Sequence, residues 1–284
     1  MPQYFEPWLE FQHTLVRQLA FAIASPNLIC ELPAALDLQH VFQLHDDTQW
    51  YQHYHTYLPR LQQLDQDPSE LLQFMQRLKS TRLGLRFEYL MWFWLQDQAY
   101  HNLKLLAHGL QIIDGKNTLG ELDFVLYNPV TAQIEHWEVA LKYYLAEQDL
   151  ALPDWYGLNR SDTLSRKLHH FTRKQFQFSQ LPGYVIEQKY AVMKGQLYLP
   201  HRPLQQTEPT LPVWVNPARR YGHWGEEMLS PYYRLQRYEW ICPDRQPSSQ
   251  QPVWWGDGLY LHPASNHYYM FRMPQFRYPY VTNL

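Results

Sequence analysis

Apolar residues recur at helical spacing through the first quarter of the chain. Leu9, Phe11, Leu15, Leu19 and Phe21 form one run, and Ser25-Pro26 ends it. Gln-rich amphipathic stretches follow, with Leu58, Leu61 and Leu64 and then Leu71, Leu72, Phe74, Met75 and Leu78. The pattern predicts that residues 4–80 are helical, a wrapper spanning 1–81 around something else. The character changes near Arg82. Residues 83–98 are apolar almost all round (Phe87, Leu90, Met91, Trp92, Phe93, Trp94, Leu95), as in a buried helix. Short β-like runs come next, at 104–113, 121–127 and 134–144. A polar segment with Pro153 and Gly157 leads into a helix from 162 to about 178, and 184–193 reads as a further strand. This order predicts an α/β core over 82–200, a mixed sheet with flanking helices. From Pro200 onward, twelve of the 21 prolines fall in the last 85 residues. They alternate with aromatic runs: Val213-Trp214-Val215, Tyr238-Glu239-Trp240-Ile241 and Val253-Trp254-Trp255. Proline is poorly tolerated in helices and central strands. Region 201–284 therefore reads as short strands and ordered loops packed on the core.

Composition narrows the class. Of 284 residues, 45% are hydrophobic, 16% aromatic and only 18% charged, which excludes an intrinsically disordered chain. Eleven glycines and no long heptads exclude a collagenous or coiled-coil rod. The formal net charge of -3 means that any nucleic-acid surface must be a local basic patch. Cys30 and Cys242 form no CxxC, and the 14 histidines no HExxH, so neither a disulfide framework nor structural zinc is expected. The start lacks a signal-peptide pattern. The longest apolar stretch, 90–95, is far short of the ~20 residues of a membrane span. The expectation is a cytoplasmic protein without membrane association; the oligomeric state is not legible.

Candidate chemistry concentrates on one hairpin. Runs 121–127 and 134–142 flank a six-residue loop, 128–133. Pairing symmetric about it joins residues whose numbers sum to 261 and sets Asp123 opposite Glu138 on one face. Like charges directly opposed in a sheet are destabilising. A divalent cation with oxygen ligands is the simplest neutralising partner; two exposed carboxylates on a solvent face are the plain alternative. Ala140 and Lys142 share the face of Glu138, and Lys142 has the reach to turn back toward the carboxylates. Glu88 lies in the apolar helix among Leu85, Met91, Trp92 and Leu95, and needs a partner there: a metal, Lys142 or a buried salt bridge. In the later helix Leu164, Leu168, Phe171 and Gln175 form one stripe, which makes Gln175 a core-edge amide. From Arg160 to Lys174 five basic residues (Arg160, Arg166, Lys167, Arg173, Lys174) stand against one acid, Asp162, a charge of +4. Such a window serves either as a solvated helix face or as a phosphate contact.

These residues resemble the PD-(D/E)xK nuclease superfamily, in which a helix supplies Glu and a hairpin supplies Asp and then (D/E)xK. The runs Gly120-Glu121-Leu122-Asp123-Phe124 and His136-Trp137-Glu138-Val139-Ala140 look like the "GEIDLI…VFVEVK" signature of its Holliday-junction-resolvase-like members. The match covers about 82–180. It departs at the lysine, which would fall at Ala140 and stands instead one pleat farther, at Lys142. The resemblance implies that Asp123, Glu138 and the Val139 carbonyl hold Mg²⁺ (or Mn²⁺), with Glu88 on the metal or its waters. It makes Glu88, Asp123, Glu138 and Lys142 the catalytic set, with Lys142 orienting or deprotonating water. Arg160, Arg166, Lys167, Arg173, Lys174 and Gln175 would meet nucleic acid.

Nearly the whole chain also resembles a bacterial family known only as a domain of unknown function, DUF1853. The resemblance rests on Val16-Arg17-Gln18-Leu19-Ala20 with Ser25-Pro26, on Gly120-Glu121-Leu122-Asp123-Phe124, on Glu138-Val139-Ala140-Leu141-Lys142-Tyr143-Tyr144, and on Asp162-Thr163-Leu164 with Lys167. The expected activity is metal-dependent phosphodiester hydrolysis of DNA or another nucleic acid. Two alternatives stand beside it. One is a nuclease fold that has lost hydrolysis and acts as a binding or scaffold module. The other is a carboxylate-pair glycoside hydrolase.

Overall fold

A computed structural model describes residues 4–147, 149–181, 183–202, 209–249 and 255–274. Val253 and Trp254 of the last aromatic run lie outside the described residues. The chain opens with three helices, α1 (Thr14–Ala24), α2 (Asp47–Gln66) and α3 (Ser69–Met75). The His13 ring caps α1 by accepting from the Leu15 N–H, and the helix ends before Pro26, whose ring disfavours helical backbone at Ser25. Everything from Leu15 to Ala24 is buried, including Arg17, whose guanidinium donates to the Leu9, Phe11 and Pro243 carbonyls. A capping box of Asp46 and Gln49 starts α2. The stretch between α1 and α2, expected to be helical, forms turns and isolated bridges instead. Pro26 and Pro33 interrupt it.

The buried helix predicted at 83–98 is α4 (Leu83–Gln96). It leads into β1 (Lys104–Asp114), β2 (Asn117–Asn128) and β3 (Gln133–Ala146). The short β4 (Trp155–Tyr156) pairs with the end of β3, and α5 (Leu164–Arg173) follows, capped by the Thr163 hydroxyl. A separate two-stranded hairpin, β5 (Gln180–Leu181) and β6 (Tyr184–Val185), precedes β7 (Gln188–Pro200). The single strand expected at 184–193 is therefore split, with its first part in that hairpin. Four more strands close the described chain: β8 (Gly222–Gly225), β9 (Tyr233–Arg234), β10 (Gly258–His262) and β11 (His267–Phe271).

The nine-stranded sheet runs β1-β2-β3-β7-β8-β11-β10-β9, with β4 beside β3. Pairs β1–β2 and β2–β3 are antiparallel; β3–β7, β7–β8 and β8–β11 are parallel. Strands of region 201–284 thus extend the sheet itself rather than resting on it. Val213 to Val215 form a turn and a single bridge to Ile29, and Tyr238 to Trp240 a 3₁₀ turn, where short strands were expected. No helix among the described residues is long and apolar enough to cross a membrane.

Strand β3 organises the molecule. Its period of two sends Trp137, Leu141, Tyr143 and Leu145 into the core built by α1, α2 and α4. Ala140 and Tyr144 point the other way, against Leu164, Leu168 and Phe171 of α5. Eleven consecutive pairs tie β3 to β7, from Glu135 with Gln188 to Leu145 with Tyr198. Gly195 sits opposite Lys142 at φ +124°, and a Cβ there would fall 1.9 Å from the Lys142 carbonyl oxygen, so only glycine fits.

Candidate functional site

The β2–β3 register is the symmetric one. Phe124 pairs with Trp137, Val125 with His136 and Tyr127 with Ile134, numbers summing to 261. The paired ladder ends at Phe124 and Trp137, and Asp123 and Glu138 lie one position beyond it. Each carboxylate reaches the other strand's backbone: Val139 N–H donates to Asp123 Oδ2 at 2.8 Å, and Asp123 N–H to Glu138 Oε1 at 3.4 Å. On the β1 side, the neighbours of Asp123 pair as Phe124 with His108 and Leu122 with Leu110. Gly109, between them, has φ +60°, where a side chain is strained.

Glu138 is fully buried. Desolvation pushes its carboxyl up to about 8, against the pull of nearby Lys167. Burial also raises Asp123 well above the usual carboxylate range, and the Glu138 charge adds to it. Glu88 repels both acids. Its own partner is His108, whose Nε2 lies 3.0 Å from Glu88 Oε1 and whose ring stacks on Trp92 at 4.1 Å. The partner is thus not Lys142 but a histidine, in line with the salt-bridge alternative; His108 gave no signal in the sequence, because β1 had to be placed against α4 first.

A second layer comes from β3 and α5. His136, on the same face two residues before Glu138, puts Nε2 2.7 Å from Glu138 Oε1. Burial lowers that imidazole to about 3, so it is neutral. It either donates to an ionised Glu138 or accepts from a protonated one. Gln175 Nε2 donates to Glu138 Oε2, and its Oε1 accepts from Lys167 Nζ at 2.7 Å. Lys167 lies with its ammonium 3.9 Å from the Phe171 ring centre, and desolvation pulls it down to about 8 despite the nearby acids. The structure thus brings together Asp123, Glu138, Gln175 and Lys167, with Glu88 alongside.

Lys142 is placed differently. Its Nζ pairs with Asp162 Oδ2 at 2.7 Å, and Asp162 also accepts from Tyr144 at 3.5 Å. Arg160 binds Glu147 at 2.6 Å and lies over Tyr156, on the far side of the Asn159–Asp162 turn. Arg166, Arg173 and Lys174 are exposed. With Ser161, Asp162, Lys167, His169 and His170 they line an open groove of about 470 Å³. A near neighbour of the acids, Lys167 is the residue whose position the helix stripe hid: it flanks Leu168 at the edge of the apolar face.

Among the described residues, no three His, Cys, Asp or Glu side chains form a ready metal cage. The buried Glu138 and the half-buried Asp123 stand together, and among the described residues no Lys or Arg pairs directly with either. Asp123 Oδ2 and both oxygens of Glu138 accept hydrogen bonds from the protein, and the two carboxyls lie within hydrogen-bonding reach of each other. An oxygen donor set of this size suits a hard divalent cation that keeps several waters.

The fold is of the mixed α/β class, with a large mixed sheet, several helices and an acidic pair at the centre of that sheet. The chain belongs to the family described as Domain of unknown function (DUF1853), whose model matches residues 17–254. Comparison with curated proteins and with solved structures finds no match.

Proposed function

We propose that this chain is a PD-(D/E)xK-type, metal-dependent phosphodiesterase acting on nucleic acid. The observation that carries the reading is continuity: the basic groove along α5 ends on Lys167, which is linked through Gln175 to Glu138 beside Asp123. Phosphates and carboxylates repel, so an acidic pair at the end of a phosphate-sized basic groove calls for a bridging cation.

Asp123 and Glu138, with the Val139 carbonyl, would hold Mg²⁺ (or Mn²⁺). When bound, that ion offsets charge on the scissile phosphate and lowers the pKa of its water. Arg166, Arg173 and Lys174 hold the backbone by contacts that position without reading sequence. Lys167, pulled to about 8, takes the role that the superfamily pattern gives to its strand lysine. Near neutral pH it holds or yields a proton beside the attacked phosphate. Lys142 steadies Asp162 at the groove's edge. Gln175 fixes Lys167 and Glu138 relative to each other, and His136 supports the second oxygen of Glu138.

One observation favours the binding-module alternative: both Glu138 oxygens already accept protein hydrogen bonds, and Lys142 is tied to Asp162. The deciding experiment incubates the protein with labelled single-stranded, duplex and branched DNA and with RNA, in Mg²⁺ or Mn²⁺. Cleavage that EDTA and Glu138→Gln both abolish is the expected result. Cleavage surviving either treatment overturns the assignment. Metal binding without cleavage of any substrate selects the binding module.

A further inference from the structure

The face of β3 away from Glu138 carries a second candidate site. Glu135 and Trp137 border a cavity of about 290 Å³, with His45, His53, His101 and Tyr190 around it. That volume is at the small end of ligand pockets, nearer one heterocycle than a nucleotide. Its walls are aromatic. His45 stacks on Tyr190 at 4.0 Å and meets Trp137 edge-on at 4.3 Å. Exposed Thr56 and Thr131 stand at its mouth.

Its polar groups are unusual for a core. Glu135 is 2% exposed. One oxygen accepts from Asn128 Nδ2 at 2.8 Å and the other from Trp137 Nε1 at 2.7 Å. A carboxylate offers about four lone-pair directions, so each oxygen retains one. The buried His45 Nδ1 has no hydrogen-bond partner. Such an atom is costly unless something fills its valence. Burial pushes His45, His53 and His101 all below the usual imidazole range, so none supplies a positive charge for an anion. The same low-dielectric surroundings, with Lys194 near His45 and His53, disfavour a cationic ligand. A neutral, flat ligand with N–H donors answers both constraints.

We propose that this cavity binds a guanine-type base, its ring against the Trp137–His45–Tyr190 wall and its adjacent N–H donors on Glu135. Guanine presents two neighbouring donors on one edge, which a carboxylate accepts side by side. The site uses neither Asp123 nor Glu138, so it stands independently of hydrolysis. The chemistry of recognition is the same for a free base and for one within a strand.

Calorimetric titration with guanosine tests this, since an uncharged nucleoside draws nothing from the basic groove. Guanosine should bind, and inosine, which lacks the 2-amino donor, should bind about tenfold more weakly. Glu135→Gln should weaken guanosine by a similar factor or more. Thr56→Trp, at an exposed rim position, should block binding with an unchanged melting curve, which keeps the test valid if Glu135→Gln folds poorly. A thymidine oligomer containing one dG then separates the sources. Guanosine binding that it displaces assigns a base within a strand, and binding that it leaves untouched assigns the free nucleoside; both uphold the site. No guanosine binding at millimolar concentration, or equal binding to wild type and Thr56→Trp, overturns it.

Discussion

Two buried acidic sites in this molecule are handled in opposite ways. Glu6, near the start of the chain, is matched by two guanidiniums. Arg220 grips it through Nε and Nη2, the shortest contact being 2.7 Å, and Arg219 approaches at 3.4 Å. Arg219 also donates to the Gly195 carbonyl and lies near Trp8 and Phe21, so the clamp ties the N-terminal segment to the stretch after β7. At the centre of the sheet the ratio is reversed. Asp123 and Glu138 lie against each other, Glu88 adds to the repulsion, and the nearby cation Lys167 is linked to Glu138 through Gln175. Where a fold needs only cohesion, it pairs a buried acid fully. Acids left unmatched in the core raise the energy of the empty protein, which is tolerated at sites that bind or react.

The comparison breaks if the two sites respond alike to mutation. Removing Glu6 leaves two largely buried guanidiniums without an anion, so Glu6→Ala should cost on the order of 3 kcal/mol in urea unfolding. Cleavage per folded molecule should be unchanged. A loss below about 0.5 kcal/mol would place the clamp among weak surface pairs.

The lysines sharpen the other half. Lys167→Met should lower cleavage by about 10²-fold, the scale of one general acid–base group, while Lys142→Met should change it only a few-fold. The reverse ranking would return the catalytic role to the strand lysine.

A smaller effect follows from protonation. The Asp123 carboxyl is raised in the folded state, so its stabilising neutral form is full below the usual 3.8 and is lost as pH climbs. Asp123→Asn removes that loss. Its melting temperature should match wild type near pH 4 and exceed it by several degrees near pH 8 without divalent metal. A gap that shrinks as pH rises would contradict the unmatched-acid description.

The smallest effect lies on the groove's surface. Arg173→Ala with Lys174→Ala should weaken DNA binding equally for all sequences and flatten the dependence on log[salt] by up to ~2. Anisotropy across a salt series reads this directly.

What the sequence revealed divides along local and long-range lines. The hairpin register was legible because its loop is symmetric and the ladder from Asn128–Gln133 to Phe124–Trp137 has no bulge, and counting one position further brings Asp123 and Glu138 together. Helix α4 was legible from its apolar surround, and α5 from its stripe. The place of Lys142 was not. Its face was correct, but Asp162, twenty residues on, lies closer to its ammonium than the carboxylates do, and only the β3–α5–β7 crossover reveals that. The same crossover turned Lys167 from an apparent phosphate contact into a neighbour of the acids. The strands after 201 were hidden for another reason: β8 to β11 are two to five residues long and joined by proline-rich turns, so no period develops within any of them. Their places in the sheet come from pairing alone: β8 lies parallel to β7 and β11 parallel to β8, with β10 and then β9 added antiparallel.

The central claim is that Asp123 and Glu138 are kept unmatched for a divalent cation. Calorimetric titration of Mn²⁺ into wild type and Asp123→Asn at neutral pH tests it most directly. The account predicts binding to wild type, weakened by at least about tenfold in the variant, with a matching cation-dependent rise in melting temperature seen in wild type alone. Equal affinity in the two proteins, or no binding to wild type at millimolar Mn²⁺, would contradict it.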